Sequence, residues 1–432
     1  MSFWFVVHKD YVVAFPVDGD SARGRRVLWS DGPTIAPDRP ERTNNVTILT
    51  PELLASFDDS IGSVNEAQLL PPSLYTSDEF YAFEREAIFG HEWLAVGRVD
   101  QFKASGDFRC ITIAGEPLLV VLDANGKFHV HSAVCQHRGM VLAEGTGNCR
   151  RFTCPYHHWS YGLDGQLLGA PAMDHAVGFD LANHGLPYLK VEIWQGFIMA
   201  NFDLDAKPLG PTLTKIDALL ENYELDSTVT LDGAIIPDLE WNWKVMLENF
   251  NDPYHASRLH GPLQTFAPSH MNDFLPWDDD DGAIGRIQHF THMDASFNPT
   301  KRSILPVFSS LTKDQRKRGG FVLIPPTLAL AIVPDEIAYF IISPRDVGHI
   351  TINIGYCFEP TSIEDPMFEY LFQAAETGVN NFNVQDIYAD KMVQKGLNSR
   401  SAPRGRYSWQ EETLVQFNRW LVKRYRSHWP TN

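Results

Sequence analysis

Cysteine is scarce in this chain, with five residues in 432, and the number is odd. Cys110, Cys135, Cys149, Cys154 and Cys357 are too few and too scattered for the disulfide framework of a secreted domain, so a reducing, cytoplasmic setting is expected. Positive charge is also short: 36 Lys and Arg stand against 54 Asp and Glu, a net charge of −18. Basic residues cluster only briefly, around Arg23 to Arg26 and Arg316 to Arg318, which leaves little electrostatic drive toward phosphate backbones. Nucleic acid is therefore not expected as a partner. Long hydrophobic runs are missing too, so no membrane span is expected. The apolar stretch near the N-terminus lacks the basic start and small-residue cleavage site of a secretory signal.

The length predicts two domains, and an apolar content of 44% is that of a globular protein. Residues 1–45 read as a leader, with a brief β-like run but no amphipathic period, either disordered or a mis-called start. Residues 46–92 read as helical. Thr50-Pro51-Glu52 marks one helix start, and Thr76-Ser77-Asp78-Glu79 marks another that should run to Trp93. Residues 93–205 change to short alternating strands, such as Phe108–Ile113 and Pro117–Leu122, divided by turns like Asp123–Gly126. Beyond the linker Pro208–Pro211, residues 212–432 mix strands at 321–333, 337–342 and 350–358 with helices near 366–392 and 411–426.

Two short segments carry the chemistry of the first half. Cys135-Gln-His137-Arg-Gly139 is followed, after sixteen residues from His137, by Cys154-Pro-Tyr-His157-His-Trp159. Each loop offers one thiolate and one imidazole, the donor set of a Rieske-type [2Fe-2S] cluster, in which two Cys hold one iron and two His the other. Tetrahedral zinc uses the same donor types, but zinc loops commonly pair Cys with Cys and His with His. His158 is surplus to the second loop, and Cys149 reads as a packing thiol.

A second constellation follows in Glu248-Asn249-Phe250-Asn251-Asp252-Pro253-Tyr254-His255-Ala-Ser-Arg-Leu259-His260. Two histidines with a distant carboxylate suit a two-His, one-carboxylate iron(II) site that leaves positions open for O₂. Five helical residues turn through about 500°, so a helix end or bulge is predicted between His255 and His260. Asp386 is the expected carboxylate. Asp390, one turn on, is the alternative, though it reads more readily as a solvated acid.

With both motifs in place, residues from about 70 to 400 resemble the catalytic (alpha) subunit of the Rieske non-haem iron ring-hydroxylating oxygenases. The resemblance implies an α+β chain: an antiparallel β Rieske domain joined to a helix-grip (START-like) catalytic domain, whose curved antiparallel sheet wraps a long helix over an apolar pocket. It implies a [2Fe-2S] cluster on Cys135, His137, Cys154 and His157 and a mononuclear Fe(II) on His255, His260 and Asp386. A homotrimer (α3), or α3β3 with a small second subunit, is also implied, with Asp252 bridging His255 to the cluster ligand His157 of the next subunit. The competing reading of Asp252 is a helix cap before Pro253.

Oxygen chemistry needs external electrons, and no Gly-x-Gly-x-x-Gly follows a strand, so the expected partner is an NAD(P)H-dependent reductase, with or without a ferredoxin. The pocket is expected to be apolar, lined by residues drawn from Asn249, Phe250, Leu259, Phe266, Phe321 and Phe382, with Leu323 and Phe340 as further candidates. An aromatic substrate, hydroxylated or demethylated, is the first expectation. A quaternary ammonium compound caged by Trp241, Trp243 and Trp277 is the second. An electron carrier without oxygen chemistry would leave the second constellation without a role.

Overall fold

The computed structural model describes residues 3–8, 11–16 and 47–430. The leader expectation falls outside them, apart from an antiparallel hairpin of Phe3–His8 and Tyr11–Pro16. From Ile48 onward the chain forms one unit. Among the described residues no helix is long and apolar enough to cross a membrane.

Both predicted helix starts are present. The Thr50 hydroxyl accepts from Leu53 N at 3.2 Å, capping helix Pro51–Ser56 with proline at its first turn. Ser77 caps helix Asp78–Glu84, which stops short of Trp93 because the chain widens into a π-turn at Arg85–Phe89 and ends at Gly90. Glu84, at the end of that helix, is wholly buried and receives Lys244 Nζ at 2.7 Å, Trp243 Nε1 at 3.1 Å and the Tyr425 hydroxyl at 2.5 Å. The one carboxylate thus ties together helices Asp78–Glu84, Trp243–Phe250 and Glu412–His428. Burial lowers the pKa of Lys244, and the charge of Glu84 opposes that shift. Removing one member of such a pair typically costs about 3–5 kcal/mol, because the other is left charged and dry.

The β-rich segment consists of antiparallel sheets, including a four-stranded one in the order Phe128–Ser132, Glu116–Leu122, Asp107–Ile113, Thr146–Asn148, where the last strand in chain order returns to lie beside the first. Its entry strand Leu94–Arg98 pairs with its exit strand Phe197–Asn201. The larger domain is built on a seven-stranded antiparallel sheet running from Val229–Leu239 at one edge to Asn272–Phe274 at the other. The predicted strand at 321–333 is in fact two, Arg318–Ile324 and Leu328–Ile332, because Pro325-Pro326 breaks the run and turns the chain back. Helix Phe368–Leu397 lies across this sheet, with Phe372 packed edge-on against Tyr356 and Phe358. The apolar cavity lies between sheet and helix.

Candidate functional site

The two Cys-His loops share one backbone plan. Cys135 N donates to Met140 O and Gly139 N returns a bond to Cys135 O; in the second loop, Cys154 N donates to Trp159 O and His158 N to Cys154 O. The fourth residue after each cysteine needs a left-handed backbone, with φ of 74° at Gly139 and 59° at His158. His158 is therefore the backbone counterpart of Gly139. Both thiols are free and buried, at 2% and 1% exposure, and the imidazoles of His137 and His157 stand with centroids 4.5 Å apart. His137 stacks on Trp159 at 4.8 Å, and the Tyr161 hydroxyl lies 3.3 Å from Cys135 Sγ while accepting from Gln136 N.

Nδ1 of both histidines is buried without a hydrogen-bond partner. A buried ring nitrogen left in that state costs about 1–3 kcal/mol unless something else takes its lone pair. Two such nitrogens beside two buried thiols fit the donor set of a [2Fe-2S] centre.

The second site is built where helix Trp243–Phe250 ends. Asp252 caps the next short helix, Pro253–Ala256, accepting from Tyr254 N and His255 N. Its Oδ2 also lies 3.2 Å from His255 Nδ1, so capping and imidazole orientation coexist in one carboxylate. The short helix stops at Ala256 and a 3₁₀ turn begins at Gly261, which is the predicted interruption between the histidines. His260 Nδ1 lies 2.8 Å from Gln385 Oε1, and its Nε2 lies 2.9 Å from Asp386 Oδ1. His255 Nε2 is 3.6 Å from the same oxygen. One ligand atom from each of His255, His260 and Asp386 falls within 4.8 Å of the others. Both imidazoles are held at Nδ1 by an acceptor and turn Nε2 toward Asp386, the arrangement of a metal-binding histidine whose tautomer is set by a neighbour. Burial works against charge on His260, but the Asp386 hydrogen bond and charge, with Gln385, outweigh it and raise its pKa. Two imidazoles and one carboxylate fit a borderline divalent metal such as Fe(II), with coordination positions left open. Gln385 had no expected role; its signal was a polar side chain beside a carboxylate on the predicted helix.

Asp390 corrects an expectation. It is 3% exposed rather than solvated and lines the cavity, and burial, with the charges of Asp386 and Glu248, raises its pKa well above the usual carboxylate range. The cavity, about 180 Å³, is lined by Asn249, Phe250, Phe321, Phe340 and Phe382 as expected. Leu259, Phe266 and Leu323 do not line it: Leu259 sits in the turn after the short helix, Phe266 packs with Leu263 and Phe290, and Leu323 belongs to the main core. The tryptophan cage is not formed either. Trp241 lines the cavity, but Trp243 is turned to Glu84 and Trp277 packs against the core. Two charged lining residues were not anticipated, Arg286 and Glu336.

The family model described as ring hydroxylating alpha subunit (catalytic domain) matches residues 220–427, and that of the Rieske [2Fe-2S] domain matches residues 92–190. The chain is 33% identical to the chloroplastic choline monooxygenase of Amaranthus tricolor over 402 residues, 88% of this chain and 83% of that protein. It is 33% identical over 214 residues to the glycine betaine monooxygenase oxygenase subunit of Chromohalobacter salexigens, a match spanning 49% of this chain and about half (46%) of that protein. Naphthalene 1,2-dioxygenase from a Rhodococcus species shares the fold, with a TM-score of 0.75 at 19% identity over 89% of this chain and all of that one.

Proposed function

Because the chain belongs to the Rieske non-haem iron oxygenases, as their catalytic alpha subunit, we propose that it is the terminal oxygenase of a short electron-transfer system acting on a small organic molecule. In this reading Cys135, His137, Cys154 and His157 hold the cluster, and His255, His260 and Asp386 hold the iron. When bound, the cluster supplies single electrons and the iron(II) activates O₂.

The protein's own residues do the rest. Asp252 fixes the His255 tautomer at Nδ1 and Gln385 fixes His260, so both Nε2 lone pairs point to one place. Phe250, Phe321, Phe340 and Phe382 exclude water from the space beside them. In a trimer, Asp252 would also meet His157 of the partner subunit, and a reductase, with or without a ferredoxin, would deliver the electrons. Substrates named for the relatives favour an ammonium compound over an aromatic one.

The observation that carries this reading is the convergence of His255, His260 and Asp386 within 4.8 Å in the wall of an apolar cavity. Iron analysis of the purified enzyme tests it: about three irons per chain is expected, and about two with no mononuclear signal would reduce the protein to an electron carrier. NADH consumption with a surrogate reductase, stimulated by substrate, tests the oxygenase step.

A further inference from the structure

Arg286 and Glu336 are unlike the rest of the cavity wall. Arg286 lies on strand Ile284–His289 and is 4% exposed, with its guanidinium carbon 3.9 Å above the Phe321 ring. Nη1 donates to Asn272 Oδ1 at 2.6 Å, while buried Nε has no partner, and among the described residues no carboxylate comes within ion-pair distance. Burial pulls its pKa down to about 9, and the charge of Asp252 is the acid that pushes back. An arginine can scarcely shed its proton, so this cation stays charged in a dry site.

Glu336 presents the opposite case. It is 5% exposed, lines the same cavity, and its carboxylate has no hydrogen bond or cation among the described residues. Burial and the neighbouring acids Asp335 and Glu376 push its pKa up to about 8. The sheet register sets the two apart: Arg286 pairs with Phe321, Phe321 with Ala331, and Ala331 with Ala338, two residues after Glu336. Three strand spacings of about 4.8 Å set the two residues about 14 Å apart across the sheet. Between them the wall is aromatic and aliphatic, including Phe250, Phe321 and Phe340.

An unpaired buried cation and an unpaired buried acid each carry a desolvation cost that a ligand of matching charge would offset. A cation with N–H groups would find few acceptors on these walls, whereas a quaternary ammonium needs none and is attracted by the ring faces. We propose that the cavity takes a zwitterion, a quaternary ammonium carboxylate, with its carboxylate on Arg286 and its cationic end toward Glu336. The inference rests on this cavity being the substrate site of the oxygenase proposed above, and it makes Arg286 a specificity-determining residue.

The test is anaerobic calorimetric binding to the iron- and cluster-loaded enzyme. The ligands are glycine betaine, 3-(trimethylammonio)propionate and 4-(trimethylammonio)butyrate, set against choline, which lacks the carboxylate, and 3,3-dimethylbutyrate, which lacks the cation. At least one zwitterion should bind tenfold or more tighter than both controls. Arg286→Met should remove that advantage over choline while leaving choline affinity within twofold, Arg286→Lys should keep part of it, and Glu336→Gln should weaken choline but not 3,3-dimethylbutyrate. Cluster absorbance and thermal midpoint report folding; if Arg286→Met does not fold, Arg286→Lys and the wild-type ranking decide. Equal binding of choline and every zwitterion, no zwitterion binding, or an Arg286→Met enzyme with its preference intact would each overturn the proposal. Oxidation of biphenyl without zwitterion binding would do so too while leaving the oxygenase standing, whereas tight zwitterion binding without O₂ consumption would support the site and count against the oxygenase.

Discussion

Replacing Asp252 with Ala removes two contacts of one carboxylate, and each has its own size and its own readout. Asp252 caps helix Pro253–Ala256 through Tyr254 N and His255 N, and loss of such a cap costs about 1 kcal/mol of stability. It also holds His255 Nδ1 at 3.2 Å, and loss of a carboxylate behind a metal-binding imidazole costs about 10–100-fold in metal affinity or activity. Asp252→Asn separates the two, because asparagine caps about as well as aspartate but brings no charge. Urea denaturation should place the Ala variant about 1 kcal/mol below wild type and the Asn variant within a few tenths. With excess iron, both variants should fill both metal sites by elemental analysis. Rapid-quench single turnover from a pre-reduced cluster should then be slowed at least about tenfold in the Ala variant. An Ala variant with full metal content that turns over within twofold of wild type would refute the role given to Asp252. Equal destabilisation by Ala and Asn would refute the cap.

Asp386→Ala should lose mononuclear iron while keeping the cluster, and Asp390→Ala should keep both; elemental analysis of the pair decides, and the reverse pattern would move the ligand to Asp390. His158→Gly should leave the cluster's electron paramagnetic resonance spectrum unchanged, since the residue supplies a left-handed backbone at φ 59°, and should stabilise by up to about 1 kcal/mol in thermal melts. Glu248 is buried, which pushes its pKa up to about 7 against the Tyr75 hydrogen bond and the charge of Lys244. The folded chain then holds this proton more tightly than the unfolded one. The stability it confers is complete below about pH 4.5 and lost as pH rises through about 7, by up to about 3 kcal/mol. Glu248→Gln should flatten that part of the pH profile in denaturant titrations between pH 5 and 8, and an unchanged slope would rule the proton out.

The parts of the site that could be read from sequence are those whose chemistry is local. Cys135 to Gly139 and Cys154 to His158 announce a cluster by donor type and spacing, and the five-residue step from His255 to His260 announces a break in the helix. What escaped notice depends on which face a residue finally presents. Asp390 sits one turn from Asp386 and looks like another solvated acid until the sheet closes over that side of the helix. Trp241 and Trp243 straddle the start of helix Trp243–Phe250, so one looks into the cavity and the other to Glu84. Arg286 lies in the strand Ile284–His289, where a lone cation suggests solvent; only the pairing with Phe321 turns it inward.

The strands by which the chain enters and leaves the cluster domain are hydrogen-bonded to each other, and the entry strand is bolted to the catalytic sheet. Ala95 N donates to Thr327 Oγ1 at 2.8 Å, and the Arg98 guanidinium reaches Thr228, Thr230 and Leu225 O. A module tethered at both ends through one shared ladder cannot swing as a pendulum would. Its redox centre keeps a fixed station relative to its own catalytic domain, so the tempo of electron delivery should follow docking and driving force rather than a hinge.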